Sequence, residues 1–419
     1  MLEKSYQEKG ACSASSLMHV PWQTALNVYS VIVGYDLNWK GTHSSMARKS
    51  VGRGSLTSMV KSSDLQLEFK ELSAKLRQSV KLDHLFALAD DNAVFQHAKY
   101  SVPARKEGYT VDDNARSLVF AAKAHSLWPS RRLAELQQRL VSFLLLMQAE
   151  DGRFHNFMDF SQRIVDEPSV GDHLGRALWA AGTVINSGLP RGVRASARLM
   201  FDRALPWARA SSSPRTRAYA CLGVYERLHE EEHDSNLTAN LKLLADSLVR
   251  LYESNRSGAW EWFENVLSYD NPRLSQALFL AHQALRGNSY LLVAERTLSF
   301  LAKVTSVNGL YAPIGNRGWF LKGQERALYD QQPVEAGAMV EATTIAYKVT
   351  HSATYKQALR CALGWFFGLN TKSSIVYDAS TGACYDGLSE SGLNENQGAE
   401  STVALLLAAA TFIENLAPG

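Results

Sequence analysis

Carboxylates, carboxamides and aromatic rings crowd into a few short stretches of this 419-residue chain. Gly108 to Arg116 reads GYTVDDNAR, Trp260 to Glu264 reads WEWFE, and Tyr269 to Arg273 reads YDNPR. Asp330 to Ala336 reads DQQPVEA, and Asn394 to Thr402 reads NENQGAEST. Each stands just before a small-residue apolar segment. A polyhydroxylated ligand needs such a mixture: its hydroxyls take bidentate polar partners and its C–H faces stack on rings. Cleaving it takes one carboxylic acid to protonate the leaving oxygen and a second carboxylate to attack or to activate water.

Within these stretches the roles divide by local chemistry. A carboxyl wedged against indole loses hydration and holds its proton, so Glu264, beside Trp260 and Trp262, is the expected general acid. Glu261 alternates with it, so only one of the two is expected to face a cavity. Asp113, Glu335 and Glu400 are the expected partners, Glu335 serving equally well as a base or as a member of a polar network. Asp112 reads as a helix cap, and Arg116, one turn on, as its ion-pair partner. Asp270 and Asn271 fit a helix start or a sugar contact. Asp330, Gln331 and Gln332 surround Pro333, a first-turn residue, and burying two adjacent glutamines demands partners for their amides. Asn396 and Gln397 read as a hydrogen-bonding lattice, and Tyr109, Trp319 and Tyr385 as stacking surfaces. Asn114 completes the first stretch. Asp151 to Phe157 (DGRFHNF), with Asp172, His173 and Arg176 beyond it, adds the same chemistry.

His97, His155 and His173 offer a different reaction, proton transfer in sugar epimerisation or isomerisation. No His-x-x-x-His or Cys–His spacing points to a metal, so neither metal nor cofactor is expected. Asp112-Asp113 lacks the third carboxylate of a diphosphate site, and no phosphate loop or nucleophile elbow occurs. A net charge of +3 is too small to imply nucleic-acid binding. Cys12, Cys221, Cys361 and Cys384 have no paired spacing, which favours a reducing, cytoplasmic setting. The longest apolar runs, Leu140 to Met147 and Val403 to Ile413, fall short of the roughly 18 residues of a membrane span.

The elements that position these stretches follow from periodicity. Leu133, Leu136, Leu140, Leu144 and Met147 recur at helical spacing, as do Leu241, Leu244, Leu248 and Leu251. Similar amphipathic helices are expected over 66–88, 191–209, 288–305 and 352–368. Between them lie alanine-rich segments that are apolar all round: Ser117 to Ala124, Leu174 to Ile185, Ala218 to Val224, Gln276 to Leu285, Ala336 to Tyr347 and Thr402 to Phe412. A helix without a polar face is buried on every side. Six such pairs close into an all-α (α/α)6 toroid, residues 64–419, whose inner helices begin at one mouth. Residues 1–63 have a single acidic residue between Gly10 and Ser63, Asp36, and read as a flexible or targeting-like arm, with a short strand or helix near Ala25 to Val33.

This alternation, with Asp/Glu/Trp loops at one end, resembles the six-hairpin glycosidase superfamily. DNAVFQHA from Asp91, GYTVDDNAR, GRALWA from Gly175, DQQPVEA and NQGAEST are similar to a little-studied branch of it, over about Lys75 to Ala417. That resemblance implies a carbohydrate ligand and an association with glycosyltransferases, and it transfers no catalytic pair. The function expected is a glycoside hydrolase or related glycan-processing enzyme acting on an oligosaccharide. A wide carboxylate separation across the toroid, and hence inversion, is the expected course. A sugar epimerase and a non-catalytic glycan-binding partner of a glycosyltransferase are the alternatives.

Overall fold

The computed structural model describes residues 62–416. The expectations for residues 1–61, including the arm and the element near Ala25, lie outside the described residues. Among the described residues thirteen α-helices run α1 (Ser62–Ser79), α2 (Asp83–Leu88), α3 (Val111–Leu127), α4 (Arg131–Met147), α5 (Asp172–Ile185), α6 (Arg191–Ala210) and α7 (Pro214–Glu230). They continue with α8 (Ser235–Asn255), α9 (Pro272–Leu285), α10 (Asn288–Val304), α11 (Pro333–Thr350), α12 (Ala353–Phe366) and α13 (Ala399–Leu416). The expected helix over 66–88 is two helices, broken after Ser79 at Val80–Leu82.

The inner ring is α3, α5, α7, α9, α11 and α13, each packed on the next, with α13 closing on α3. Each inner helix has an outer partner: α4, α6, α8, α10, α12 and α1. The chain is therefore an (α/α)6 toroid. Inner helices bury most of their residues, polar ones included; α5 is buried from His173 to Ile185. Outer helices bury one stripe, as in α4 through Leu133, Leu136, Leu140, Leu144 and Met147. At the tightest crossing Gly182 of α5 faces Gly223 of α7, and a Cβ on either overlaps backbone of the opposite helix. By length and composition α13 could cross a membrane, but 78% of it is buried inside the protein.

Connections differ sharply between the two ends. Inner-to-outer links are short, such as 286–287 and 351–352. Outer-to-inner links include the long stretches 89–110, 148–171, 256–271, 305–332 and 367–398. Small antiparallel pairs stiffen them. Strands β1 (Ala98–Lys99) and β2 (Val102–Pro103) form a hairpin, and β3 (Tyr109–Thr110) pairs with β4 (Phe157–Met158). All the long loops, and all the inner-helix N-termini, gather at one mouth.

Candidate active site

The mouth is built from side chains on the first turns of the inner helices. Thr110 caps α3: its hydroxyl accepts from Asp113 N at 3.1 Å and donates to Asp113 Oδ2 at 2.6 Å. That cap turns the Asp113 carboxyl towards Arg116. One Arg116 nitrogen, Nη1, lies 3.4 Å from Asp113 Oδ1 and 3.1 Å from Glu400 Oε2 on α13. The two facing oxygens are thus no further apart than those two lengths laid end to end. Asp113 and Glu400 stand on neighbouring inner helices, so they are not a pair of the kind expected to face each other across the toroid. Burial pushes the Asp113 carboxyl up to about 6, with Glu400 adding to the rise and Arg116 opposing it. The Glu400 side chain remains 39% exposed, so this pair is open to solvent.

Asp112 turns the other way. It pairs with Arg176 of α5, and Asn156 Nδ2 donates to it at 3.1 Å. Burial works against its ionised form, yet Arg176 and then Arg116 overcome that and hold the carboxyl below its ordinary value. In place of the expected Asp112–Arg116 ion pair, Asp112 pairs with Arg176, and Arg116 with Asp113, Glu400 and Asp270. Asp172 accepts from Ser213 at 2.6 Å, from Thr216 at 2.9 Å and from the Tyr269 hydroxyl.

Deeper on the axis Asp270 is fully buried, with a left-handed φ of +49°. Arg273, Arg176 and Arg116 from three inner helices surround it at 3.3, 3.8 and 4.0 Å. It is an electrostatic hub, and the N-cap position of α9 falls to Asn271 instead. Glu335 of α11 accepts from Asp270 N and, at 3.1 Å, from Asn271 Nδ2. Burial first, and the Asp270 charge second, raise its carboxyl to about 8. Glu335 is thus a network member that ties α11 to the start of α9.

Glu264 departs from expectation. Its carboxylate pairs with Arg215 Nη1 at 2.9 Å, while Arg215 also bonds the Tyr269 carbonyl and the Ser268 hydroxyl. Trp260 instead packs edge-on to Phe300 and Phe320, and Trp262 against Phe263. Both indoles are buried in the core, Trp260 Nε1 donating to the Glu264 carbonyl at 2.8 Å. Glu261 accepts from Tyr252 on outer helix α8.

Most of the other expected contact residues bond within the protein. Tyr109 is buried against Phe95, its hydroxyl donating to Asp90 at 2.6 Å. The Asn114 amide clamps Val94 and the Thr110 carbonyl. Asn271 holds Ser268, and Gln331 accepts from the Trp365 indole. Gln397 donates to Asp378, Asn396 accepts from Tyr100 N, and Asp330 pairs with Arg317. Gln332 caps α11 and is half-buried, as is Tyr385. Trp319 is 40% exposed at the rim. Of the histidines, His173 Nε2 meets the Phe154 carbonyl at 3.1 Å, His155 Nδ1 meets the Asp166 carbonyl at 2.6 Å, and His97 is exposed. Arg215 escaped sequence reading altogether. Its signal was an arginine within the first turns of an otherwise apolar helix, which Arg116, Arg176 and Arg273 share.

No protein-family model matches the chain, and no curated protein matches it in sequence. Solved structures do match in fold. A D-mannose isomerase superposes with a TM-score of 0.63 at 14% identity, over 82% of this chain and 98% of that one. A cellobiose 2-epimerase from Bacillus thermoamylovorans B4167 gives 0.64 at 11%, over 84% and 99%. An α-1,6-mannanase from Salegentibacter sp. HEL1_6, an inactive variant bound to α-1,6-mannotriose, gives 0.53 at 11%, over 83% and 99%.

Proposed function

We propose that this chain, which has the fold of the six-hairpin glycosidase superfamily, is a glycan-processing enzyme that hydrolyses glycosidic bonds with Asp113 and Glu400. The observation that carries this reading is the pair itself: two carboxyls on one Arg116 nitrogen, one inclined to keep its proton and the other open to solvent. Asp113 donates its proton to the leaving glycosidic oxygen as the C–O bond breaks. Glu400 attacks the anomeric carbon, and water, deprotonated by Asp113, releases the sugar from Glu400. The short reach across Arg116 favours this double displacement, and so retention, over the separation of about 6.5–9.5 Å that inversion needs.

Asp112 is the second choice for the nucleophile. The mannanase variant is inactive with two consecutive aspartates replaced, and Asp112-Asp113 is such a pair. Asp112, however, has its oxygens engaged by Arg176 and Asn156.

Epimerisation remains the rival reaction. His155 supports it, because the carbonyl at Nδ1 assigns the hydrogen to that nitrogen, so in the neutral ring Nε2 carries the lone pair. A glycan-binding partner of a glycosyltransferase is the non-catalytic rival. Incubating the chain with manno- and gluco-oligosaccharides and with free monosaccharides, followed by product analysis, separates them. Shortened chains support hydrolysis. Interconverted monosaccharides with intact oligosaccharides point to epimerisation, and binding without product to the third reading.

A further inference from the structure

We infer that Phe157 and Tyr100 are outer stacking positions for an oligosaccharide that runs from the Asp113–Glu400 pair over the rim, an inference that rests on the carbohydrate reading above. Phe157 is 43% exposed on β4, directly opposite Thr110 on β3. Side chains directly opposite in an antiparallel pair share a face, with Cβ atoms about 4.5–5.5 Å apart. The Thr110 hydroxyl on that face is bonded to Asp113, so the phenyl ring stands on the Asp113 side of the ribbon.

Tyr100 holds the corresponding place beside Glu400. It forms the tip of the β1–β2 hairpin and is 54% exposed, with a φ of +52°. A bulky ring is unfavourable in that left-handed conformation, where glycine is free. The tip is nonetheless rigid: Tyr100 N donates to Asn396 Oδ1 at 3.0 Å, and Gln397 N donates to the Tyr100 carbonyl at 2.9 Å. Those residues lead straight into α13 and Glu400. A strained, exposed and pinned aromatic at this point is explained by what it presents to a ligand. Lys99 Nζ stands 5.1 Å from the centre of the Tyr100 ring, and the Arg105 guanidinium 5.7 Å from that of the nearby Phe160, so each of these two rings has a cation over one face. Two exposed rings flanking the carboxylate pair therefore define sites for sugar units beyond the one being cleaved.

Calorimetric titration of the full chain with di- and hexasaccharides of the 1,4-gluco and 1,6-manno series tests this. The native chain is expected to bind hexasaccharide more tightly than disaccharide. Phe157→Ala and Tyr100→Gly should each cut that ratio by about three- to tenfold, the worth of one stacked ring. Phe157→Tyr should restore it, and Tyr100→Gly should raise the melting temperature by relieving strain. A native ratio near one, or a ratio unchanged in the double variant, overturns the stacking sites alone. No binding at any length overturns the carbohydrate reading, and the stacking sites fall with it.

Discussion

At the scale of single residues, two buried carboxyls with raised proton affinity act in opposite ways. Asp113 faces solvent through its partner Glu400, and its proton is the one the reaction consumes. Turnover that depends on protonated Asp113 falls as pH rises through about 6. Asp113→Asn should lower kcat by about 100-fold or more and erase that limb of the pH profile, read by initial rates. Glu335 is sealed inside, and its effect is on stability. Its folded-state affinity lies near 8, above the ordinary glutamate value of 4.5. The native state thus holds a proton that the unfolded chain has lost, and stability falls as pH rises through that window. Denaturant titrations at pH 5 and pH 8 should show this decline, on the order of 1 kcal/mol per pH unit. It should be flatter in Glu335→Gln.

At the scale of elements, close helix contact holds the inner ring, and glycine permits it. Gly182→Ala forces α5 and α7 apart and should cost about 1–3 kcal/mol in equilibrium denaturation. Helix pattern was the part of the fold most legible in sequence. Segments such as Leu174 to Ile185 have no polar face, and a helix of that kind has only one place to be, inside other helices. The mouth was legible too, since each polar stretch precedes such a segment. Partners within the mouth were not. Trp260 and Trp262 alternate with carboxylates as a binding wall does, yet a long loop can fold its indoles inward onto Phe300 and Phe320 while Glu264 turns to Arg215. The pairing of Asp113 with Glu400 depends on α13 closing beside α3, a contact between the two ends of the toroid that no local spacing encodes. Tyr100 was passed over, and Phe157 was named only as the end of its stretch, because exposure and strand pairing, not residue type, make them notable.

At the scale of the whole molecule, charge runs down the axis of the toroid. Glu400, Arg116, Asp270, Arg273 and Glu341 link α13, α3, α9 and α11, the Arg116–Asp270 pair crossing the ring and the last pair lying at 2.6 Å. Glu341 reaches a polar cavity of about 400 Å³ at the far end, where Lys123 of α3 bonds Glu414 of α13 at 3.1 Å. Ring closure between α13 and α3 is thus made twice by ion pairs, once at each end. The closure at the mouth is the one that brings Glu400 to Asp113. Glu400→Gln keeps the size of the side chain and removes only its charge, so it tests the catalytic pair with the ring intact. The decisive measurement is parallel turnover and calorimetric binding of an oligosaccharide substrate by the native chain and by Glu400→Gln. Binding that persists while turnover drops by at least about 100-fold is the predicted result. Native-like turnover in Glu400→Gln contradicts the account.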